Sequence, residues 1–246
     1  MKNEYDLGIH EVYDLFYHKK EMEDVDFYVE QAEKVDGPVL EVACGTGRIY
    51  LEALEKGVEI EGIDLSEGML EKLREKAAER DLDPKVKKAD MRSFEMDKKY
   101  DSIIIPFRSF LHNTKIEDQI KTLETCKEHL KSRGKLILNF FSLDWDYIRE
   151  NYGRNERSFV KDGHDYKIIK DLEVCDNINM LNRTKIKVYR DGKKIYSGEY
   201  RLAFITKPHF ELLLEKIGFS GWNVYGGFEL EELKSKEQEQ VWIVEK

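Results

Sequence analysis

Apolar residues in the first part of the chain follow two alternating patterns. Short, mostly apolar runs are separated by stretches in which apolar residues recur every three or four positions, the spacing of one helix face. The runs that predict buried strands are VLEVA (39–43), VEIEGIDLS (58–66), PKVKKAD (84–90), YDSIIIPF (100–107) and KLILNFF (135–141). Because strands that alternate with helices form parallel sheets, this pattern predicts a doubly wound α/β fold.

Residues that begin or end helices stand between these runs. Ser66 is placed to cap the helix that follows the second strand. Gly57 is expected to end the helix after the first strand, and Gly134 the helix after the fourth. Before the first strand, apolar residues at helical spacing precede a break at Gly37-Pro38.

The pattern changes after Ser142. Three segments without intervening helical spacing predict an antiparallel β insertion, with RDGKK (190–194) as a hairpin turn: YKIIKDLEVCD (166–176), INMLNRTKIKVYR (178–190) and KKIYSGEYRLAFI (193–205). A last helix is expected at 207–219. Strands near 220–227 and 240–245 would then complete a seven-stranded, mostly parallel sheet.

Three segments of the chain are therefore distinguished. Residues 1–36 form an N-terminal helical segment, 37–141 together with 206–246 form a Rossmann-like domain, and 142–205 form the β insertion. This division places the insertion immediately before the last helix of the sheet domain.

Composition and charge limit the classes of molecule that this protein is expected to bind. The net charge of −9 argues against a nucleic-acid backbone as the main partner, because phosphate contacts need clustered Lys and Arg. The three cysteines form neither a zinc pattern nor a disulfide framework, so no metal is expected. No signal peptide or membrane-spanning run is seen. These features predict a cytoplasmic protein that acts on a small molecule; its oligomeric state, monomer or homodimer, stays open.

The stretch LEVACGTGR (40–48) places Gly45 and Gly47 directly after the first strand, where doubly wound sheets bind ligands. Asp64 ends the next strand, where an acid can accept hydrogen bonds from ribose hydroxyls. A dinucleotide would also fit these features, but its fingerprint needs a small residue where Tyr50 stands. No Gly-Lys-Ser/Thr follows, which excludes a P-loop. The loop favours an adenosine without a pyrophosphate.

These motifs, with GIDLS, KADMRSF, YDSIIIPF and RGKLILNFF in order, resemble those of class I S-adenosylmethionine (SAM)-dependent methyltransferases. The resemblance spans roughly 38–141 and 207–245. The chain is most similar to small-molecule enzymes, nearest to deoxysugar N-methyltransferases and more loosely to glycine N-methyltransferases. The fourth strand ends in IIPF and lacks the Asn/Asp-Pro-Pro-aromatic signature of nucleobase enzymes.

The resemblance implies a set of cofactor-binding residues. The first-strand loop would surround the methionine part of SAM, Asp64 the ribose and Asp90 the adenine amino group. The full implied set is Glu41, Ala43, Gly45, Gly47, Asp64, Leu65, Asp90, Met91 and Phe107. Asp64 could instead cap a helix and Asp90 a turn, and Leu65 and Met91 are core residues on any interpretation. A buried carboxylate at Glu41 needs a partner, which favours a functional role.

Residues on the acceptor side are less defined. His112 follows the fourth strand and is the candidate base or hydrogen-bonding group, although a loop-packing histidine fits equally. Tyr13 and Tyr17 are expected in a lid over the acceptor, or else in a stripe that docks the first helix. Arg108 is expected to face the acceptor, and Trp145 to wall the pocket or anchor the core.

The function predicted is methyl transfer from SAM to N or O of a small molecule by in-line displacement, giving S-adenosylhomocysteine (SAH). A non-catalytic SAM- or SAH-binding protein is the alternative. An NAD-dependent oxidoreductase is disfavoured by Tyr50.

Overall fold

Two β-sheets organise the protein. The computed structural model describes residues 8–16 and 24–246. Its strands are β1 (Val39–Val42), β2 (Ile60–Asp64), β3 (Lys85–Lys88), β4 (Tyr100–Ile105), β5 (Leu130–Phe141), β6 (Gly153–Lys161), β7 (His164–Asp176), β8 (Leu181–Arg190), β9 (Lys193–Ala203), β10 (Gly221–Tyr225) and β11 (Glu239–Glu245). Its α-helices are α1 (Asp24–Glu33), α2 (Tyr50–Glu55), α3 (Glu67–Ala78), α4 (Ile116–His129), α5 (Trp145–Asn151) and α6 (Lys207–Ile217).

The main sheet has seven strands in the order β10-β11-β5-β4-β1-β2-β3. Neighbours from β3 to β5 are parallel, whereas β11 is antiparallel to both β5 and β10. This arrangement confirms the predicted mostly parallel, doubly wound fold. The strand order reverses beside β1, which defines the position where such sheets bind ligands.

Helices cover both faces of the main sheet because its central strands are apolar on both sides. β1 is buried along its whole length. On one face α4 and α6 pack through an aromatic cluster in which the rings of Phe210 and Trp242 are 4.9 Å apart. On the other face α1, α2 and α3 pack through residues that include Tyr28 and Tyr50. The loops at the strand ends are thus held on a rigid, two-sided core.

Helix boundaries were predicted well where a cap decides them. The Ser66 hydroxyl accepts a hydrogen bond from the Met69 N–H (3.4 Å), and Gly218 ends α6 with φ of 79°. The prediction that Gly134 ends α4 is wrong. α4 ends at His129, and the next residue, the fully buried Leu130, is already extended and pairs with Tyr100 at the start of β5.

The second sheet is antiparallel, with strand order β6-β7-β8-β9. The hairpin predicted at RDGKK is confirmed: Asp191 and Gly192 have φ of 51° and 76°, as a two-residue turn between twisted strands requires. β6 was missed because nearly all of its residues are exposed, so it lacks an alternating apolar pattern. No helix interrupts the three predicted strand segments, as expected, but α5, which Asp144 caps ahead of β6, was not predicted.

The N-terminal segment, residues 8–16, forms short 3-10 helices at Ile9–Glu11 and Tyr13–Leu15. Its apolar residues Ile9, Val12 and Phe16 pack between Met69 of α3 and the inner face of the second sheet. The segment therefore bridges the two sheets. Within the described residues, no helix is both long and apolar enough to cross a membrane.

Candidate active site

A cavity of about 730 Å³ opens at the carboxyl edge of the main sheet. Its walls come from the ends of β1 to β5, from the N-terminal segment and from β7, β8 and β9. This volume is in the range of small-molecule sites. Ten of the predicted residues line the cavity: Tyr13, Ala43, Gly45, Asp64, Leu65, Asp90, Met91, Phe107, Arg108 and His112.

Four other predicted residues lie elsewhere. Glu41 and Gly47 do not line the cavity. Trp145, which is 53% exposed, packs against Phe204 outside it. Tyr17 lies outside the described residues.

The loop after β1 has left-handed backbone where it lines the cavity. Ala43 and Gly45 have φ of 60° and 54°. A Cβ on Gly45 would meet no atom within 4 Å, so the backbone there faces open space. A Cβ on Gly47, in contrast, would lie 2.8 Å from Leu73 Cγ. Gly45 therefore serves the cavity, whereas Gly47 serves the packing of the loop on α3.

The Asp64 carboxylate holds this loop from the end of β2. The Gly45 N–H donates to Oδ2 (2.9 Å), and the Ser66 N–H donates to Oδ1 (2.8 Å). Both oxygens of this carboxylate therefore hold backbone of the cavity wall in place. The neighbouring Leu65 side chain is 41% exposed and lies on the same wall.

Glu41 is a buried carboxylate in β1. It is 2% exposed, and among the described residues its Oε2 has no hydrogen-bond partner. Burial raises the pKa of Glu41 well above its ordinary value, and the charge of Arg48 opposes that rise. Arg48 itself is held by Asp24 through two hydrogen bonds of 2.6 Å. The carboxylate thus lies behind the loop with one oxygen unsatisfied.

Asp90, Met91 and Arg92 form the wall after β3. Arg92 donates three hydrogen bonds to Asp90. Its backbone N–H and Nε donate to Oδ1 (both 2.9 Å), and NH2 donates to Oδ2 (2.5 Å). These hydrogen bonds hold the pKa of Asp90 below its ordinary value. Met91 Sδ accepts a hydrogen bond from Asn113 Nδ2 (3.3 Å). Arg92 was not predicted from the sequence, although a basic residue two positions after Asp90 is placed to pair with it.

The end of β4 is a strained turn beneath the centre of the cavity. Phe107 and Arg108 both have left-handed backbone, with φ of 57° and 64°, which costs non-glycine residues roughly 1–2 kcal/mol each. The Phe107 N–H donates to Asn139 Oδ1 (2.9 Å), which also accepts from the Tyr28 hydroxyl (2.7 Å). The Arg48 guanidinium lies 4.8 Å from the centre of the Phe107 ring.

Arg108 is held by the same network. Its Nε and NH2 donate to the two oxygens of Glu239 at 2.9 and 2.7 Å, and Asn139 Nδ2 donates to Glu239 Oε1 (2.7 Å). Asn139 and Glu239, on β5 and β11, were not predicted. Asn139 carries a sequence signal, as a polar residue within the apolar run KLILNFF, whereas Glu239 lies among polar residues at the start of β11.

His112 and Tyr200 also line the cavity, with ring centres 5.7 Å apart. Burial lowers the pKa of His112 to about 4, so the imidazole is neutral at physiological pH. Tyr200 comes from β9 of the insertion, whose residues sequence reasoning left unassigned. Among the described residues, no group of His, Cys, Asp and Glu side chains could hold a metal ion.

Tyr50, the bulky residue where a dinucleotide fingerprint needs a small one, packs away from the cavity. Its ring lies between α2 and the sheet, where its hydroxyl donates to the Ile60 carbonyl (3.2 Å) and accepts from the Lys85 N–H (2.8 Å). Gly62 makes the room, since a Cβ there would lie 3.1 Å from the Tyr50 ring. The small residue required for close packing is thus on the strand, and Tyr50 does not line the cavity.

The seven-stranded topology, with acidic residues after successive strands, is the fold of class I SAM-dependent methyltransferases. Residues 39–134 match the family model described as a methyltransferase domain, which covers β1 to β4 and the helices between them.

Relatives extend the similarity over the rest of the chain. A glycine/sarcosine N-methyltransferase of Aphanothece halophytica is 24% identical over 93% of this chain and 84% of its own length. A dTDP-3-amino-3,4,6-trideoxy-alpha-D-glucopyranose N,N-dimethyltransferase of Streptomyces venezuelae is 28% identical over 54% of this chain and 57% of its own. The solved CcbJ methyltransferase of Streptomyces caelestis has the same fold, with a TM-score of 0.76, 21% identity and 98% coverage of both chains.

Proposed function

We propose that the protein transfers the methyl group of SAM to an amine nitrogen of a small molecule bound between the end of β4 and the second sheet. The observation that carries the proposal is that residues of both sheets line one cavity. Asp64 and Asp90, which follow strands of the main sheet, line the same cavity as Phe107, His112 and Tyr200 of the second sheet's β9. The named relatives methylate amines, which supports nitrogen over oxygen.

The residues present fit SAM. Asp64 would accept hydrogen bonds from the ribose and Asp90 from the adenine amino group. The open backbone at Gly45 would leave room for the methionine part. The cofactor, when bound, supplies an activated methyl group and its own leaving group.

The chemistry left to the protein is alignment and exclusion of water. The strained end of β4 would hold the acceptor nitrogen in line with the methyl group. The neutral His112 imidazole would accept a hydrogen bond from the amine N–H and orient its lone pair. With a pKa of about 4, His112 is a weak base, so the acceptor must lose its ammonium proton before it attacks.

The N-terminal segment would act as a lid. It covers the loop after β1, where Asp14 accepts a hydrogen bond from the Thr46 hydroxyl (2.8 Å) and pairs with Lys76 of α3 (2.6 Å). In this proposal residues 37–141 and 206–246 bind the cofactor, 142–205 supply the acceptor wall and 1–36 include the lid. The net charge of −9 supports a small molecule over nucleic acid as acceptor.

Calorimetry and an acceptor panel test the proposal. We expect SAH to bind and NADH not to bind. We also expect SAH to form from SAM when an amino sugar, an amino acid such as glycine or another small amine is supplied. Binding of SAH without turnover on any amine would leave a SAM-binding protein without this activity. Turnover confined to hydroxylated metabolites would reject the amine.

A variant assigns the acceptor end. His112→Ala should lower turnover while leaving SAH affinity within about twofold. His164→Ala is the matched control, since His164 is exposed in the second sheet and bonded to Asp191 in the β8–β9 turn. Unchanged turnover in His112→Ala would remove this residue from the mechanism.

A further inference from the structure

Arg92 lines the cavity after β3 and makes several polar contacts there. Besides its three hydrogen bonds to Asp90, its NH1 lies 3.4 Å from Asp118 Oδ2 in α4. Its carbonyl accepts a hydrogen bond from the Thr125 hydroxyl of the same helix (3.0 Å). The guanidinium therefore connects the Asp90 carboxylate to a helix packed in the core.

We propose that Arg92 is a positioning residue that orients the Asp90 carboxylate. The cavity wall after β3 thereby becomes selective for a purine that carries a 6-amino group. The inference rests on the proposed function, because it assumes that the adenosine part of SAM lies against Asp90.

The hydrogen bonds from Arg92 occupy most of the acceptor sites of Asp90. An ionised carboxylate offers about four, and Arg92 fills three of them with its backbone N–H, Nε and NH2. About one site remains on a carboxylate that lines the cavity. One acceptor site matches one N–H of an exocyclic amino group.

Charge adds to this selection. The hydrogen bonds from Arg92 lower the pKa of Asp90, so the carboxylate stays ionised and can only accept. A planar guanidinium holds a carboxylate in a fixed plane, which the single charge of a lysine cannot do. Without the Arg92 guanidinium the carboxylate would keep only the backbone N–H of residue 92, and its contact with the amino group would lose its defined direction.

The test uses calorimetry with two probes, SAH and the SAH analogue that lacks the 6-amino group. We expect the wild type to bind SAH about tenfold more tightly than the analogue, the effect of one charge-assisted hydrogen bond. Arg92→Gln should bring this ratio below about threefold, and Arg92→Lys should lie between the two. Asp118→Asn is the matched control: it removes the outer partner of Arg92, keeps the three bonds to Asp90 and should keep the ratio.

Each other result overturns the inference. If Arg92→Gln weakens both probes equally, Arg92 only holds the loop on α4. If the wild type binds both probes equally, the amino group is not recognised by this wall. Thermal unfolding of each variant shows whether it is folded, and Arg92→Lys covers the case in which Arg92→Gln is not. Failure of SAH to bind the wild type would instead reject the proposed cofactor site, which keeps the two failures distinct.

Discussion

At the residue scale, the structure separates side chains that face the cavity from those that only support it. Asp64 and Asp90 lie on the cavity wall, as their positions at strand ends suggested. Gly47, from the same loop as Gly45, is fixed by its packing on Leu73. A sequence motif therefore places a residue in the loop, but the packing of neighbouring side chains decides whether that residue faces the cavity or the core.

Removal of the Asp64 carboxylate should weaken cofactor binding. Asp64→Ala leaves the Gly45 and Ser66 N–H groups without their acceptor and removes the proposed ribose partner. We expect a loss of about 1–3 kcal/mol in SAH affinity by calorimetry. Asp64→Asn keeps one acceptor oxygen and should recover part of it. Asp97→Ala removes an exposed carboxylate outside the cavity and should change nothing; an equal loss in both alanine variants would contradict the assignment.

His112 should make the fold sensitive to acid. Burial lowers its pKa from 6.5 to about 4, so between these values the unfolded chain binds a proton that the folded chain does not. Stability therefore rises with pH across this window and falls as the pH drops from 6.5 to 4. His112→Gln, which does not titrate, should show a shallower fall in urea unfolding measured at several pH values. Identical pH slopes in the two proteins would place the His112 pKa near its ordinary value.

At the scale of elements, apolar strands and capped helices could be predicted, and features set by long-range pairing could not. β1, β2, β4 and β5 were visible because each carries an apolar run, whereas β3 has a single apolar residue, Val86. β6 was invisible because its exposed residues gain their structure only by pairing with β7. The network at the end of β4 was equally hidden, because Asn139 and Glu239 meet only when β5 and β11 pair.

That network should contribute strongly to stability. Asn139→Leu leaves the Phe107 N–H and the Tyr28 hydroxyl without their acceptor, in a region closed to water. We expect urea unfolding to show a loss of about 2–4 kcal/mol. Asn223→Leu, on the exposed side of β10, should stay within about 0.5 kcal/mol of the wild type. If Asn139→Leu also changes the free energy of unfolding by no more than about 0.5 kcal/mol, the turn after β4 does not depend on this network.

At the scale of the whole molecule, the cavity belongs to no single part of the chain. Its base comes from the main sheet, its far wall from the second sheet and its cover from the N-terminal segment. Sequence reasoning found the base, because the family motifs lie there. It could not assign the far wall, since which residues of β7 to β9 face the cavity depends on how that sheet docks.

The cover should control how fast the cofactor leaves. Asp14→Ala removes the hydrogen bond from Thr46 and the ion pair with Lys76. We expect SAH to dissociate roughly three- to tenfold faster in stopped-flow measurements. High salt should narrow the difference, because salt screens the exposed ion pair. Glu11→Ala, an exposed change in the same segment, is the control. An unchanged rate in Asp14→Ala would mean that the apolar contacts alone hold the segment.

The place of β11 has a consequence for synthesis. This strand follows β10 in sequence, yet it lies between β5 and β10 in the sheet. During translation β5 therefore emerges well before its neighbour, with a row of unpaired backbone groups along one edge. Glu239, which secures both Arg108 and Asn139, arrives with β11. On the ribosome, the strands that carry the cofactor end can pair first, while the acceptor end waits for β11 and the exposed β5 edge needs protection from aggregation until then.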